Sequence, residues 1–276
     1  MSTMSRRFHA AKLISTREWK DTWYKPGIYF VMALSLVIAA FVLKSSLSGV
    51  ADIKATVIAS PLTLALFFAV ALGTTYLALC SAMAIARERE TGTLEVLFYG
   101  PVDSVSYVFG RFIEQIMTFV TMLVFFAVYF VIAGSFTNIG FSVTFLLMLI
   151  FSVFVAGAMV SFGIFISSLI GRIRSSIIVF LALVIFFLGF SLGYNVLVNI
   201  PGDQLTMTQT YLRVILQAVN TVLAWVSPFA YLQRGFDAAA LHEVSNYLVS
   251  IGQTLVYSLV LLVASIVCFN KRGVKR

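Results

Sequence analysis

Few residues in this chain are spaced for chemistry, and those few argue against an enzyme. "GFSLG" at 189–193 matches G-x-S-x-G, the nucleophile elbow of hydrolases. That chemistry needs the serine on a strand-to-helix turn beside a histidine and an acid. Ser191 lies instead inside a long apolar run, and the only two histidines, His9 and His242, are far away in sequence. Small residues four apart let helices approach closely. Gly189 and Gly193 are therefore read as a helix-packing pair, as are Gly157 and Ser161, followed by Gly163, Ser167 and Gly171. Cys80 and Cys268 both fall in apolar runs and read as small buried hydrophobes. With two distant histidines they offer no metal-ligand cluster, so no metal site is expected. No G-x-x-x-x-G-K-[ST] occurs, so the chain has no phosphate-cradling loop and is expected to bind no cofactor of its own.

The remaining concentration of functional groups is "RERETGTLEVLFYGPVDS" at 87–104, which lies between two apolar runs. It carries Arg87, Glu88, Arg89, Glu90, Glu95 and Asp103. Gly92 is placed to end the preceding helix, where a left-handed conformation is needed. Thr93 to Leu97 can then form about one helical turn, with Glu95 near its positive end. Leu94, Leu97 and Phe98 share one apolar face. Pro101 breaks the turn, and Asp103 or Ser104 can cap the next helix. A plain connector needs only a few residues. This one spends extra length on an apolar face with nothing of its own to bury it on, the pattern of a docking knob for a partner.

The elements that must position this knob follow from composition. The chain has 276 residues, 61% hydrophobic and 11% charged, with mean hydropathy +1.01. Soluble domains are nearer half apolar and a quarter charged. The chain is therefore read as an all-α polytopic membrane protein. Spanning helices need about 20 mostly apolar residues. Six stretches qualify: 27–47, 61–86, 107–134, 141–170, 176–199 and 247–269. They are too long for barrel strands and lack alternation. Of 19 Lys and Arg residues, all but Lys44, Lys54, Arg213 and Arg234 fall on one side. This bias puts both termini and the 87–104 segment in the cytoplasm. It also accounts for the formal net charge of +8 without nucleic acid as a partner.

The resulting organisation is a cytoplasmic segment 1–26, a six-helix membrane domain 27–270 and a basic tail 271–276. The outer segment 200–246 contains an apolar piece, 211–232, expected to lie in the interface or dip partway in. Read as a seventh span, it would put the basic tail outside. Trp19, Trp23 and Tyr24 beside Lys20 and Lys25 form an interfacial anchor at the end of an N-terminal interfacial helix. Arg111 and Glu114, three residues apart on one helix face, are expected to pair. No ionisable residue is expected near the bilayer midplane, where ion-driven carriers keep theirs. An ion-coupled secondary carrier is thereby disfavoured, and an intramembrane enzyme lacks a catalytic cluster.

"ETGTLEVLFYGPV" at 90–102 resembles the E-x-G-T-L-E-x-L-x-x-x-P-V signature of ABC-2 type transporter permeases, where it forms the coupling helix between the second and third spans. Gly110-Arg111 resembles the Gly-Lys that comes after it. "ISTREWKDTWYKPGIY" at 14–29, with Arg17, Glu18 and Trp19, resembles the family's connecting helix. "SPFAYLQRGFDAAALHEVSNYL" at 227–248 resembles its outer segment before the last span. Phe98-Tyr99-Gly100 departs from the usual leucine and small residues. The resemblance implies the membrane subunit of an ATP-driven exporter in a prokaryotic inner (plasma) membrane. It implies pairing with a second permease subunit and driving by a cytoplasmic ABC ATPase, which would bind the ATP and Mg. It further implies an ATPase-docking surface of Glu88, Glu90, Gly92, Thr93, Leu94, Glu95, Leu97, Phe98 and Pro101, and, from the few polar residues in the spans, a lipophilic or amphiphilic cargo.

Overall fold

The computed structural model describes residues 3–53, 61–93, 103–137, 142–199 and 207–272. Among them the chain is helical throughout, with no strand. The helices are α1 (Thr3–Trp23), α2 (Pro26–Ile53), α3 (Pro61–Glu90), α4 (Ser104–Thr137), α5 (Val143–Leu169), α6 (Ile173–Asn199), α7 (Met207–Val226), α8 (Pro228–Ala240) and α9 (Val244–Arg272). Six are long and apolar enough to cross a membrane, namely α2, α3, α4, α5, α6 and α9. Their bounds enclose or nearly coincide with the six apolar runs.

Small residues decide which helices form the centre. The most apolar stretches of α3 and α5 are 56% and 61% buried, against 22–28% for the other four spans. A Cβ on Gly163 would lie 2.2 Å from the Ala78 carbonyl oxygen, so the two backbones touch there. One turn later Ser167 Oγ accepts from the backbone N–H groups of Ile85 (3.1 Å) and Ala86 (3.0 Å). From α6, Ser176 Oγ donates to the Ala82 carbonyl. The small-residue row of α5, expected as one face, splits into two. Gly163 and Ser167 meet α3, while Gly157 faces Phe112 of α4 and Ser258 of α9, each 3.6 Å from a Cβ there. Gly171 lies past the end of α5, and among the described residues nothing lies within 4 Å of a Cβ there.

Among the described residues, no atom lies within 4 Å of a Cβ on Gly189 or Gly193. Both lie on α6, in a face with the exposed Ile185 and Leu192. The four-residue spacing is a sound period but carries no direction, so these glycines do not bring two of the described helices together.

The apolar piece 211–232 is not one helix. It breaks at Ser227, and α7 and α8 meet at 91°. Pro228 supplies the break, because it occupies the first turn of α8, where its missing N–H costs nothing. α7 is mostly exposed, whereas α8 wedges into the bundle. Phe236 packs edge-on against Phe67 at 5.5 Å, and Gly235 sits over the Phe151 ring, 1.8 Å from a hypothetical Cβ. Arg234 lies over the rings of Trp225 and Tyr231 and donates to the Ala224 carbonyl across the bend.

Candidate functional site

The helix ends assemble into two groups. At one end lie the C-terminal ends of α3, α5 and α9, the N-terminal ends of α4 and α6, and α1. Several contacts tie this end together. Glu90 Oε2 accepts from the Ile173 backbone N–H (3.0 Å), so the last residue of α3 caps the first of α6. Ser104 donates to Asn270 (2.5 Å), joining α4 to α9. Arg89 lies over the Phe269 ring, which stacks in turn on Tyr107 at 5.8 Å. This is the end that carries the 87–104 segment.

Its electrostatic centre is Arg111. The guanidinium donates through Nη1 to Glu18 of α1 (2.6 Å) and through Nη2 to Glu88 of α3. A longer contact of 3.9 Å reaches Glu114. The expected Arg111–Glu114 pair is thus the weakest of the three; the shorter bonds run to other helices. Planarity explains the choice, since a guanidinium presents donors along two edges and joins two carboxylates without strain. Glu114 is buried and finds neutral donors, Thr22 Oγ1 (3.0 Å) and Gln115 Nε2 (3.1 Å to each carboxylate oxygen). Three contacts join α1 to α4: Glu18 to Arg111, Thr22 to Glu114, and Trp23 to Phe125 at 6.3 Å between rings. α1 packs along α4 rather than standing free. Trp19 and Trp23 are half-buried, and of the three anchor aromatics Tyr24 alone is open, at 87% exposed, beside the exposed Lys20 and Lys25.

α3 ends as its sequence requires. Gly92 has φ +71°, the left-handed conformation that favours glycine. Thr93 Oγ1 donates to the Glu88 carbonyl (3.3 Å) and shares a 2.9 Å hydrogen bond with Thr91 Oγ1. Of the expected docking residues, Glu88 and Glu90 are engaged within the chain, by Arg111 and by the α6 N-terminus. Leu94, Glu95, Leu97, Phe98 and Pro101 lie outside the described residues. In α1, Arg17 is exposed and Glu18 is held by Arg111. Sequence reasoning missed the Glu18–Arg111–Glu88 bridge. The only signal for it was that three charged residues stand beside apolar runs in segments about 93 and 23 residues apart, a separation no helical spacing rule spans.

The nucleophile-elbow motif has no elbow. Ser191 lies within α6, with Gly189 and Gly193 in the same helix. His242 sits at the end of the bundle away from Arg111, with φ 55° and its Nε2 3.3 Å from Thr144 Oγ1 rather than against Ser191.

No curated protein matches this chain in sequence. The profile of a family described as ABC-2 family transporter protein does match, over residues 43–267. That range runs from late α2 nearly to the end of α9 and takes in the 87–104 segment and the broken α7–α8 pair. A match over most of the chain, carried by six membrane-length helices, shows that this protein belongs to the ABC-2 family of transporter membrane proteins.

Proposed function

We propose that this chain is the permease subunit of an ATP-driven exporter, paired with a second permease subunit. Force would come from a separate cytoplasmic ATPase, with ATP and Mg held there. One observation carries the reading: a single guanidinium, that of Arg111, joins the helix before the first span to the helix that leads into the 87–104 segment. A push delivered at that segment reaches α1, α3 and α4 together, because Glu18, Glu88 and Arg111 bind as one unit. Ser167 and Ser176 extend the path by gripping the α3 backbone from α5 and α6. Rigid-body rearrangement of packed helices is the usual way such a push becomes a change of access. The cation bias supports a cytoplasmic position for this end, in a cell membrane of prokaryotic type.

The test is to replace residues 94–98 with glycine and serine and to purify the subunit with its ATPase. Loss of ATPase co-purification, or of coupled ATP turnover, with membrane insertion preserved, supports the reading. A subunit that keeps both is not driven through this segment, and the reading fails.

A further inference from the structure

The cation bias counts Arg234 with the outer connection, but the broken α7–α8 pair carries it into the bundle. Its guanidinium donates through Nη1 to Gln253 Oε1 of α9 (3.4 Å) and through Nη2 to the Ala224 carbonyl near the end of α7. α9 gives the depth of this corner. It has 29 residues, about 43 Å of helix. Gln253 stands nine residues after Val244, about 13 Å along. Tyr257, about 20 Å along, donates to the Val226 carbonyl at the α7–α8 corner. A hydrocarbon core is about 30 Å thick, and one centred on α9 takes in both positions. Arg234 therefore holds its charge inside hydrocarbon, closer to the midplane than its place in the sequence implies.

That charge is not balanced. Among the described residues no carboxylate lies within ion-pair distance of Arg234, and Asp237, one turn further along α8, does not reach it. Everything that touches the guanidinium is neutral: two oxygen acceptors, and the rings of Trp225 and Tyr231 with centroids 5.4 and 5.3 Å away. Carbonyl oxygens and aromatic faces lower the cost of a cation in hydrocarbon but do not neutralise it. Of the five N–H groups of a guanidinium, two are used and the rest meet no acceptor among the described residues. Arg234 is only partly buried, and its unpartnered Nε is not among the buried atoms, so the edge that carries Nε is open.

We propose that Arg234 binds the acidic headgroup of a membrane amphiphile, a phosphate or carboxylate carried on a hydrocarbon chain, with the chain lying along Val256 and Val260 of α9. The oxyanion neutralises the guanidinium and accepts from its open edge, the two-pronged contact that arginine makes with phosphate and carboxylate. Gln253, Val256 and Val260 are three and four residues apart and share one face of α9, and both valines are exposed, so hydrocarbon has a track that starts at the charge. A soluble anion fits less well, because it would have to shed its water to enter hydrocarbon, whereas an amphiphile is already in the layer. The site stands on the geometry of this chain alone and does not depend on the proposed permease function.

Trp225 is the reporter, since it lies against Arg234 and is 55% exposed. The chain has three tryptophans, so Trp19→Phe and Trp23→Phe leave Trp225 as the sole fluorophore of its kind. The full chain is placed, without ATPase, in nanodiscs of phosphatidylcholine brominated on its acyl chains, which quenches a tryptophan that it touches. Unbrominated tetradecyl phosphate is then added, and tetradecanol in parallel. The phosphate should restore Trp225 fluorescence at a mole fraction at least about tenfold lower than the alcohol, the scale of one charge-assisted hydrogen bond. Arg234→Gln can still donate to the Ala224 carbonyl but carries no charge, and it should remove that preference. Inorganic phosphate at matched ionic strength should leave the fluorescence and the tetradecyl phosphate curve unchanged. Equal mole fractions for the two additives with Arg234 in place overturn the inference, whether or not the variant assembles. So does a preference that survives Arg234→Gln, which would mean that the arginine only staples the bend. Competition by inorganic phosphate overturns it too, because the site would then take a soluble anion. Because no ATPase is present, the preference can hold while the 94–98 replacement leaves turnover intact, and then the permease reading falls and the headgroup site remains.

Discussion

Gly163 and Ala78 meet backbone to backbone, and a Cβ on Gly163 would stand 2.2 Å from the Ala78 carbonyl oxygen. Ser81 Cβ lies 2.9 Å away on the same side. Neither atom is the free end of a flexible side chain, so a methyl group there must separate α3 from α5. Overfilling a packed site costs about 1–3 kcal/mol, and a backbone obstacle belongs at the top of that range. Gly163→Ala should lower the thermal unfolding midpoint of the detergent-solubilised subunit, and Gly163→Val should impair its accumulation in the membrane. A Gly163→Ala protein as stable as wild type would mean that the two helices are not this close.

The elements of the fold were legible in the sequence; their directions were not. Hydropathy gives span length, since crossing lipid demands some 20 apolar residues whatever the neighbours. Gly92 announced the end of α3 because only one backbone conformation was needed there. The glycine rows were different. Gly163 and Gly189 sit in similar four-residue patterns, yet one touches a carbonyl and the other meets nothing among the described residues. Spacing states that a face is small, not which helix it meets. The Arg111 bridge was hidden for the same reason: Glu114 was in helical register, while Glu18 and Glu88 come near only once the chain is folded. Ser227 broke an apolar run that hydropathy averages straight through.

Gly189 then becomes a probe of assembly rather than of folding. Gly189→Leu should leave the stability of the isolated subunit within about 0.5 kcal/mol, the ordinary effect of an exposed substitution. If a second permease subunit lies on this face of α6, the same change should reduce the dimer fraction in crosslinking or light scattering. A large stability loss in the monomeric subunit would contradict the open surroundings of Gly189.

Arg111 is the branch point of its cluster, so its removal should cost more than that of either acid. Its side chain is 13% exposed, against 14% for Glu88 and 26% for Glu18. Deleting one partner of a fully buried pair costs about 3–5 kcal/mol, and this partly wetted cluster should lose about 1–3 kcal/mol. Arg111→Ala leaves Glu18, Glu88 and Glu114 facing one another, so adding Glu88→Gln should restore part of the loss. Thermal unfolding of the four-member double-mutant cycle measures this. Additive effects would show that Arg111 and Glu88 act independently.

The 87–104 segment supplies the sharpest test of the proposed coupling. Glu88 and Glu90 are engaged within the chain. On the proposed function, the groups left to grip an ATPase subunit are the apolar side chains of Leu94, Leu97 and Phe98, together with Glu95. Burying one such apolar side chain contributes about 1.5–3 kcal/mol, and an exposed charge pair about 0–1 kcal/mol. The apolar face should dominate. Leu94→Asp should release the ATPase subunit or uncouple its turnover from transport, while Glu95→Gln should change either by a few-fold at most. Both variants leave the spans untouched, so membrane insertion should persist and serves as the control. Co-purification and substrate-stimulated ATP turnover, compared for wild type and the two variants, decide the matter. If Glu95→Gln proves the more damaging, the grip is a desolvated ion pair rather than an apolar contact, and the order of the two contributions is reversed.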